Sequence, residues 1–167
     1  MLKDIIDSKA FSVVRLSKIY RQAESSHIVL NAHKINAGEL ITLDNKNKDF
    51  FFFEKKDVRS VMGALVYLVK TRLPEYIGAS PFEIQVLTPM RKGKLGVEHL
   101  NEVLQYYLNP ASESKKEKEG RTGVFREGDK VMQVKNNYKL EWKITNAKGF
   151  SIEEGLGVFN GDMGIIK

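Results

Sequence analysis

The sequence predicts an α/β fold in which helices flank a mainly parallel sheet, with a small antiparallel β unit at the C-terminal end. Two observations predict it. Short β-branched or aromatic runs alternate with amphipathic stretches of helical period as far as Asn109, and this alternation implies crossover connections between parallel strands. Beyond Gly123, short apolar runs are separated by Asn and Gly turns, which is typical of antiparallel strands.

The N-terminal elements are a short helix, a strand and a second helix. "LKDIIDS" predicts the short helix and "FSVVRL" predicts a buried strand. Ser25 or Ser26 can cap the second helix, and Gly38 suits its left-handed C-terminal cap. The apolar face of that helix is predicted to comprise Ile28, Val29, Ala32 and Ile35.

Two further strand and helix pairs follow. Residues 50–54 ("FFFFE") predict a strand, after which Asp57 caps a helix that Pro74 closes. "FEIQVLTP" predicts a strand that ends at Thr88 and Pro89, and "LGVEHLNEVLQYYLN" predicts the next helix. The apolar positions at helical spacing are Val58, Val61, Met62, Leu65, Leu68 and Val69 in one helix, and Val97, Leu100, Leu104 and Tyr107 in the other.

The C-terminal part has a different pattern. Residues 109–123 ("NPASESKKEKEGRTG") mix cations and acids without apolar anchors, which predicts a mobile loop. "GDKVMQVKNNY", "EWKI" and "GVFNGDMGIIK" predict the strands of the antiparallel unit. The predicted domain boundary therefore separates residues 1–122 from residues 123–167.

Composition narrows the functional classes. The 167 residues contain no cysteine, which excludes disulfides, thiolate zinc sites and thiol nucleophiles and suits a reducing cytoplasm. No apolar run approaches the ~20 residues of a membrane span, and the acidic N-terminus is unlike a signal peptide, so we expect a cytoplasmic protein without a membrane partner. The net charge of +6 and pI of about 9.4 favour a polyanionic partner.

No complete catalytic or metal-binding motif is present. The three histidines lie far apart in the sequence and form no metal-binding pair. No phosphate-binding G-x-x-x-x-G-K-[ST] loop occurs, and "RKGKLG" lacks its terminal Lys-Ser/Thr pair. The chain alone is therefore expected to bind no metal or cofactor and to hydrolyse no nucleotide. The histidines are His27, His33 and His99.

Candidate anion-binding groups lie where predicted strands end. Arg91, Lys92 and Lys94 follow the strand that ends at Thr88, and ligands of open α/β sheets collect beyond the carboxyl ends of strands. A phosphate backbone would fit there, but a solvated loop whose lysines provide solubility fits the spacing equally. Arg21, before the second helix, also has two interpretations. It forms either an ion pair with a carboxylate or a contact with an anionic ligand.

The order of these motifs resembles the RecD-like branch of superfamily 1 DNA helicases, which includes the exodeoxyribonuclease V alpha subunit. The resemblance spans nearly the whole chain. It rests on "IYRQA", "IVLNAHKINAGE", "VLTPMRKGKLGVEHLNEVLQ", "FREGDKVMQVKNNY" and "GVFNGDMGII".

The resemblance implies a fragment of an ATP-dependent 5′–3′ DNA helicase that acts in DNA repair and recombination. Residues 1–122 would be the first part of the second RecA-like motor domain, with a partial RecA-like sheet, and residues 123–167 would lead into an SH3-like insertion. Arg21 would be the motif IV arginine that reaches the γ-phosphate of ATP, with Tyr20 and Gln22 beside it. The residues implied to contact DNA are Thr88, Arg91, Lys92, Lys94, Asn136 and Asn137.

The same resemblance implies the cofactors and partners. ATP and Mg²⁺ would bind the full-length parent, whose Walker A and Walker B elements are expected upstream of Met1. The partners would be single-stranded DNA, the remaining motor domain of the same polypeptide and the exodeoxyribonuclease V beta and gamma subunits. The alternative from the residues alone is a non-enzymatic basic module that binds nucleic acid or a protein partner.

Overall fold

A computed structural model describes residues 2–14, 26–120 and 123–167, and the chain divides into two compact units, Met1–Glu54 and Lys55–Lys167. The α-helices are α1 (Leu2–Asp7), α2 (His27–Asn36), α3 (Val58–Tyr67), α4 (Leu73–Ile77) and α5 (Val97–Leu108), with a π-helical turn at Leu68–Arg72 and a 3₁₀ turn at Pro81–Glu83. The strands are β1 (Glu117–Gly120), β2 (Gly123–Arg126), β3 (Lys130–Met132), β4 (Asn137–Thr145), β5 (Ser151–Val158) and β6 (Met163–Ile165).

Helix α2 begins and ends close to the predicted positions, but its N-terminal cap is not local. Ser26 occupies the cap position without a capping side-chain bond. The carboxylate of Asp49 instead accepts the His27 N–H at 3.0 Å. At the other end Gly38 has a φ of +78°, and the Glu39 N–H donates to the Lys34 carbonyl at 2.8 Å. The left-handed cap predicted at Gly38 is confirmed.

The strand predicted at residues 50–54 is wrong, because side-chain amides take the place of a partner strand. The carboxamide of Asn45 accepts the Phe52 N–H at 2.6 Å and donates to the Phe52 carbonyl at 2.8 Å. The Asn47 side chain accepts the Phe50 N–H at 2.7 Å. A compact turn therefore satisfies backbone groups that a sheet would otherwise pair.

The predicted α/β fold with a partial RecA-like, mainly parallel sheet is also wrong. All three sheets in the described residues are two-stranded and antiparallel: β1 with β2, β3 with β6, and β4 with β5. Residues 11–14 and 84–88, which belong to two other predicted strands, form no ladder. β-branched and apolar residues favour an extended backbone, but a sheet also needs a neighbouring strand, and the sequence pattern does not specify one.

The helical segment after Asp57 is longer than predicted. Pro74 does not close it. The π-helical turn precedes α4, so Pro74 lies in the first turn of α4. A proline is tolerated there because the first residues of an α-helix need no backbone N–H donor. The segment ends at Gly78, whose φ is +68° and whose N–H donates to the Pro74 carbonyl at 2.9 Å. Helix α5 forms as predicted.

The Asp57 carboxylate caps α3 as predicted. It accepts the Ser60 N–H at 2.9 Å and the Ser60 hydroxyl at 2.7 Å. The side-chain bond from Ser60, followed by the backbone bond, lowers the pKa of Asp57 below its ordinary value. Because the pKa is lower in the folded state, the charged cap stabilises the fold fully when the pH is above the unfolded-state pKa of about 4. This stabilisation is lost as the pH falls through the folded-state pKa.

Asp57→Ala is therefore expected to lower the Tm clearly at pH 7 and by less at pH 3, which lies below the unfolded pKa, so that part of the stabilisation by the charged cap has been lost. Asp57→Asn is the matched control, because Asn caps helices as well as Asp but does not titrate. Thermal unfolding followed by circular dichroism at both pH values measures the difference. Equal losses for Asp57→Ala at pH 7 and pH 3 would contradict an ionised cap.

The C-terminal antiparallel β strands are present, and they begin earlier than predicted. Glu117–Gly120, placed by the sequence in a mobile loop, forms β1 against β2. An ion pair between Arg126 Nε and Glu117 Oε1 at 2.6 Å ties the two strands together. In the longer hairpin, the Trp142 ring lies over Gly155, where a Cβ atom would come within 2.4 Å of it.

Few apolar side chains are buried among the described residues. They are Val29 in the first unit and Val69 and Leu100 in the second, while Leu87 is 88% exposed. Within the described part of the chain, no helix has the length and apolar character that crossing a membrane requires.

Candidate nucleic-acid interface

The predicted basic loop is a closed turn at the N-terminus of α5. The Thr88 hydroxyl donates to the Leu95 carbonyl at 2.8 Å, and the Val97 N–H donates to the Met90 carbonyl at 3.0 Å. Gly96 is buried where a Cβ atom would come within 2.6 Å of the Lys92 carbonyl carbon. The turn therefore holds its cations on a fixed backbone. We call residues 88–96 the basic loop.

The structure brings four of the predicted DNA-contacting residues together in this loop. Thr88 closes it, while Arg91, Lys92 and Lys94 project from it and are exposed. Arg91 Nε lies 3.3 Å from Glu98 Oε1, with 78% of the arginine side chain exposed. Such an exposed pair contributes little to stability, so Arg91 can exchange Glu98 for a stronger anion.

A groove of about 1050 Å³ lies beside the basic loop, between α3 and α5. Gly93 and Lys94 of the loop form part of its lining, so groove and loop are continuous. Further cationic and aromatic side chains come from the two helices and from the π-helical turn that follows α3, and no carboxylate is among the lining residues. These side chains are Arg59, Tyr67, Lys70, His99 and Tyr107. We call this the helix groove.

The other two predicted DNA-contacting residues lie at the start of β4, in the segment that contains strands β1 to β6, which we call the β segment: Asn136 directly precedes β4 and Asn137 is its first residue. The Asn136 side chain accepts the Asn160 N–H at 2.8 Å and donates to the Tyr138 hydroxyl at 2.8 Å. The Asn137 side chain accepts the Lys139 N–H at 3.2 Å. Both asparagines therefore stabilise local structure, and their contact with DNA stays a prediction.

The residues predicted to reach ATP cannot be placed. Tyr20, Arg21 and Gln22 lie outside the described residues, as does Ser25, the alternative cap of α2. Their assignment continues to rest on the sequence motif.

A cluster of polar side chains that the sequence did not predict fastens the C-terminus of α5 to the β segment. Asn109, only 5% exposed, donates to Asp129 Oδ1 at 2.7 Å and to the Glu127 carbonyl at 3.0 Å. Arg126 donates to the Asn109 carbonyl at 2.5 Å. Gln105 Nε2 donates to Asp129 Oδ2 at 2.5 Å. We call these residues the polar cluster.

Sequence reasoning also missed the helix groove, although one signal for it was available. Arg59 and Lys70 are eleven residues apart, which is about three helical turns, so a continuous helix places both on one face. The contribution of Tyr107 could not be read in this way, because its helical spacing also fits an apolar core position.

Comparison with known proteins defines the class of domain first. Residues 100–167 match the family described as "ATP-dependent RecD-like DNA helicase SH3 domain", and this region contains most of α5, the polar cluster and all six strands. The match agrees with an antiparallel, SH3-like domain in place of the parallel sheet predicted from the sequence.

The chain is also similar to the ATP-dependent RecD2 DNA helicase of Deinococcus radiodurans, with 30% identity over 159 residues. The aligned region is 95% of this chain but 18% of that helicase, so the chain spans less than a fifth of the length of the relative. The two matches together support the RecD-like helicase family.

Proposed function

We propose that the chain is a segment of an ATP-dependent 5′–3′ DNA helicase of the RecD type and contributes part of its single-stranded DNA track. The observation that carries the proposal is the match of residues 100–167 to an SH3 domain of RecD-like helicases. The basic loop supports it, because a closed turn presents three cations beside α5, the helix in which that match begins. The segment would come from the second motor region of the helicase.

In the full-length helicase, ATP and Mg²⁺ would bind to elements outside this chain, since the chain has no P-loop. Arg21 would reach the γ-phosphate from its position before α2, with Tyr20 and Gln22 completing that motif. Exodeoxyribonuclease V beta and gamma subunits are the partners if the parent works in a nuclease complex, and in that case its pathways are DNA repair and recombination.

Unwinding assays on the full-length protein that contains this chain test the proposal. A duplex with a 5′ single-stranded tail is expected to be unwound in the presence of ATP and Mg²⁺, whereas the same duplex with a 3′ tail should remain intact. The matched control replaces ATP by a non-hydrolysable analogue. Single-strand binding without ATP hydrolysis or unwinding would favour the alternative, a non-enzymatic nucleic-acid-binding module.

Replacing Arg91, Lys92 and Lys94 together by Ala is expected to weaken binding of single-stranded DNA and to make it less sensitive to salt. Each phosphate neutralised on a single strand contributes roughly −0.7 to the slope of log affinity against log salt. The triple variant should therefore flatten the slope by about two units. Fluorescence anisotropy of a labelled oligonucleotide between 50 and 300 mM NaCl measures it.

The matched control removes three exposed lysines outside the basic loop and the helix groove, Lys3, Lys46 and Lys148. Its slope should stay close to that of the wild type. If both triple variants flatten the slope equally, the binding is a diffuse effect of net charge, and the basic loop has no specific part in it.

A further inference from the structure

Besides the apolar side chains of Val58, Met62 and Val66, the helix groove contains two kinds of side chain that suit a single nucleic-acid strand. Its cations come from separate elements: Arg59 at the start of α3, Lys70 in the π-helical turn and Lys94 in the basic loop. Within the described residues, none of the three forms an ion pair with a carboxylate. Their charges are therefore available to an anionic ligand.

The aromatic side chains of the helix groove are accessible, and the Tyr107 ring is also held by its neighbours. Lys70 Nζ lies 5.9 Å from the centroid of the Tyr107 ring, and the Tyr106 ring meets the Tyr107 ring edge-on at 5.1 Å. Tyr107 is nevertheless 44% exposed and Tyr67 is 56% exposed. Ordered, half-exposed rings are the kind of platform on which nucleic-acid bases stack.

The helix groove, of about 1050 Å³, is open and continuous with the basic loop. It opens directly onto Gly93 and Lys94 of the basic loop, so a strand that crosses the loop can continue into it without leaving the surface.

We propose that the helix groove is a base-stacking subsite for single-stranded DNA. Bases stack on Tyr67 and Tyr107, and the phosphates between them meet Arg59, Lys70 and Lys94. The inference rests on the proposed DNA function and extends it from the basic loop into the space between α3 and α5. An acidic peptide could satisfy the cations, but it would have no planar rings to stack on the two tyrosines.

Binding of a labelled oligodeoxythymidylate to the 167-residue chain tests the subsite through two pairs of variants. Tyr67→Ala with Tyr107→Ala should weaken binding by about 5- to 150-fold for each ring that stacks on a base, with an unchanged salt slope. Arg59→Ala with Lys70→Ala should flatten the slope by about 1.4 units. An abasic oligonucleotide of the same length should respond to the cation variant but not to the tyrosine variant.

One control retains both rings and the net charge, and the other matches the loss of two positive charges in the groove variant. Tyr67→Phe with Tyr107→Phe keeps both rings and should bind as the wild type does. Lys46→Ala with Lys148→Ala removes two cations elsewhere and should leave the slope nearly unchanged. Circular dichroism and thermal unfolding establish that each variant is folded before its affinity is compared.

Three results would overturn the proposal. The first is an unchanged affinity of the folded double tyrosine-to-alanine variant, and the second is a salt slope flattened as much in the Lys46 and Lys148 control as in the groove variant. The third is displacement of DNA by polyglutamate at equal charge concentration. The last result would assign the groove to an acidic polypeptide. If the chain binds DNA but the tyrosines have no effect, the subsite fails while the helicase assignment stands. A full-length protein that cannot unwind DNA would instead remove the helicase assignment.

Discussion

Under the proposed helicase function, Arg21→Ala in the full-length protein is expected to lower the kcat of ATP hydrolysis by roughly 10³ to 10⁵-fold while changing ATP affinity far less. This corresponds to a barrier increase of about 4 to 7 kcal/mol. Negative charge grows on the transferring γ-phosphoryl group, and a guanidinium supplied from a second domain stabilises that charge more than it stabilises bound ATP. Steady-state and single-turnover kinetics separate the two effects.

Arg21→Lys is the matched variant. It retains the charge but lacks the planar, forked donors of the guanidinium, so it should restore little activity. If Arg21 instead forms a structural ion pair, Arg21→Ala would lower the Tm and reduce turnover only as far as the protein unfolds. A folded Arg21→Ala helicase with near-normal kcat would contradict the assignment to the γ-phosphate.

Local signals in the sequence were sufficient to predict α1, α2, α3 and α5, but not the continuation of the helical segment past Pro74. The cap residue Asp57 and the left-handed position of Gly38 act within a few residues of the helix ends that they define, and both are found as predicted. The N-terminus of α2 shows the limit of such reasoning. Its capping carboxylate comes from Asp49, 22 residues beyond His27, where a local pattern gives no signal.

The predicted parallel strands failed for a related reason. Apolar and aromatic runs specify an extended backbone, but strand pairing depends on residues that are distant in sequence. Phe52, in the most apolar of these runs, exchanges its hydrogen bonds with a single Asn45 side chain. The antiparallel strands were predicted only in part. Strands β3, β4 and β6 lie in or overlap predicted runs, whereas β1 was placed in a mobile loop and most of β5 lies outside the predicted strands.

In the candidate site, too, features set by neighbouring residues were predicted and features that join distant residues were not. The basic loop was predictable because its cations are consecutive in sequence and follow a strand-like run. The helix groove was not, since Lys94 and Lys70 converge only after α3 and α5 have folded beside each other. The polar cluster joins Asn109 to Asp129 across 20 residues, and neither residue is distinctive in its local sequence.

The polar cluster holds the end of α5 that is opposite the basic loop, and Asn109 is its central residue. The side-chain amide of Asn109 donates two hydrogen bonds, and its oxygen accepts one from the Lys115 ammonium group. Gly128 approaches it closely with a φ of +90°, and a Cβ atom there would lie 3.3 Å from the carboxamide. The site therefore has little room for another side chain or for water.

Asn109→Ala is expected to destabilise the fold by about 2 to 4 kcal/mol, because it leaves the Glu127 carbonyl and part of the Asp129 carboxylate without their donors in a confined site. For a chain of this size, such a loss lowers the Tm by roughly 5 to 10 °C. Chemical denaturation followed by the fluorescence of Trp142, the single tryptophan, and by circular dichroism measures the change.

The control is another asparagine, and the decisive comparison uses a second residue of the polar cluster. Asn146→Ala removes an exposed asparagine that bonds only to backbone groups at the tip of the β4–β5 hairpin, so its loss should be clearly smaller. Asn109→Ala combined with Asp129→Ala should destabilise less than the sum of the two single variants, since both remove the same bond. Strict additivity would show that Asn109 and Asp129 act independently, and the bond between them would then have no part in holding α5 to the β segment.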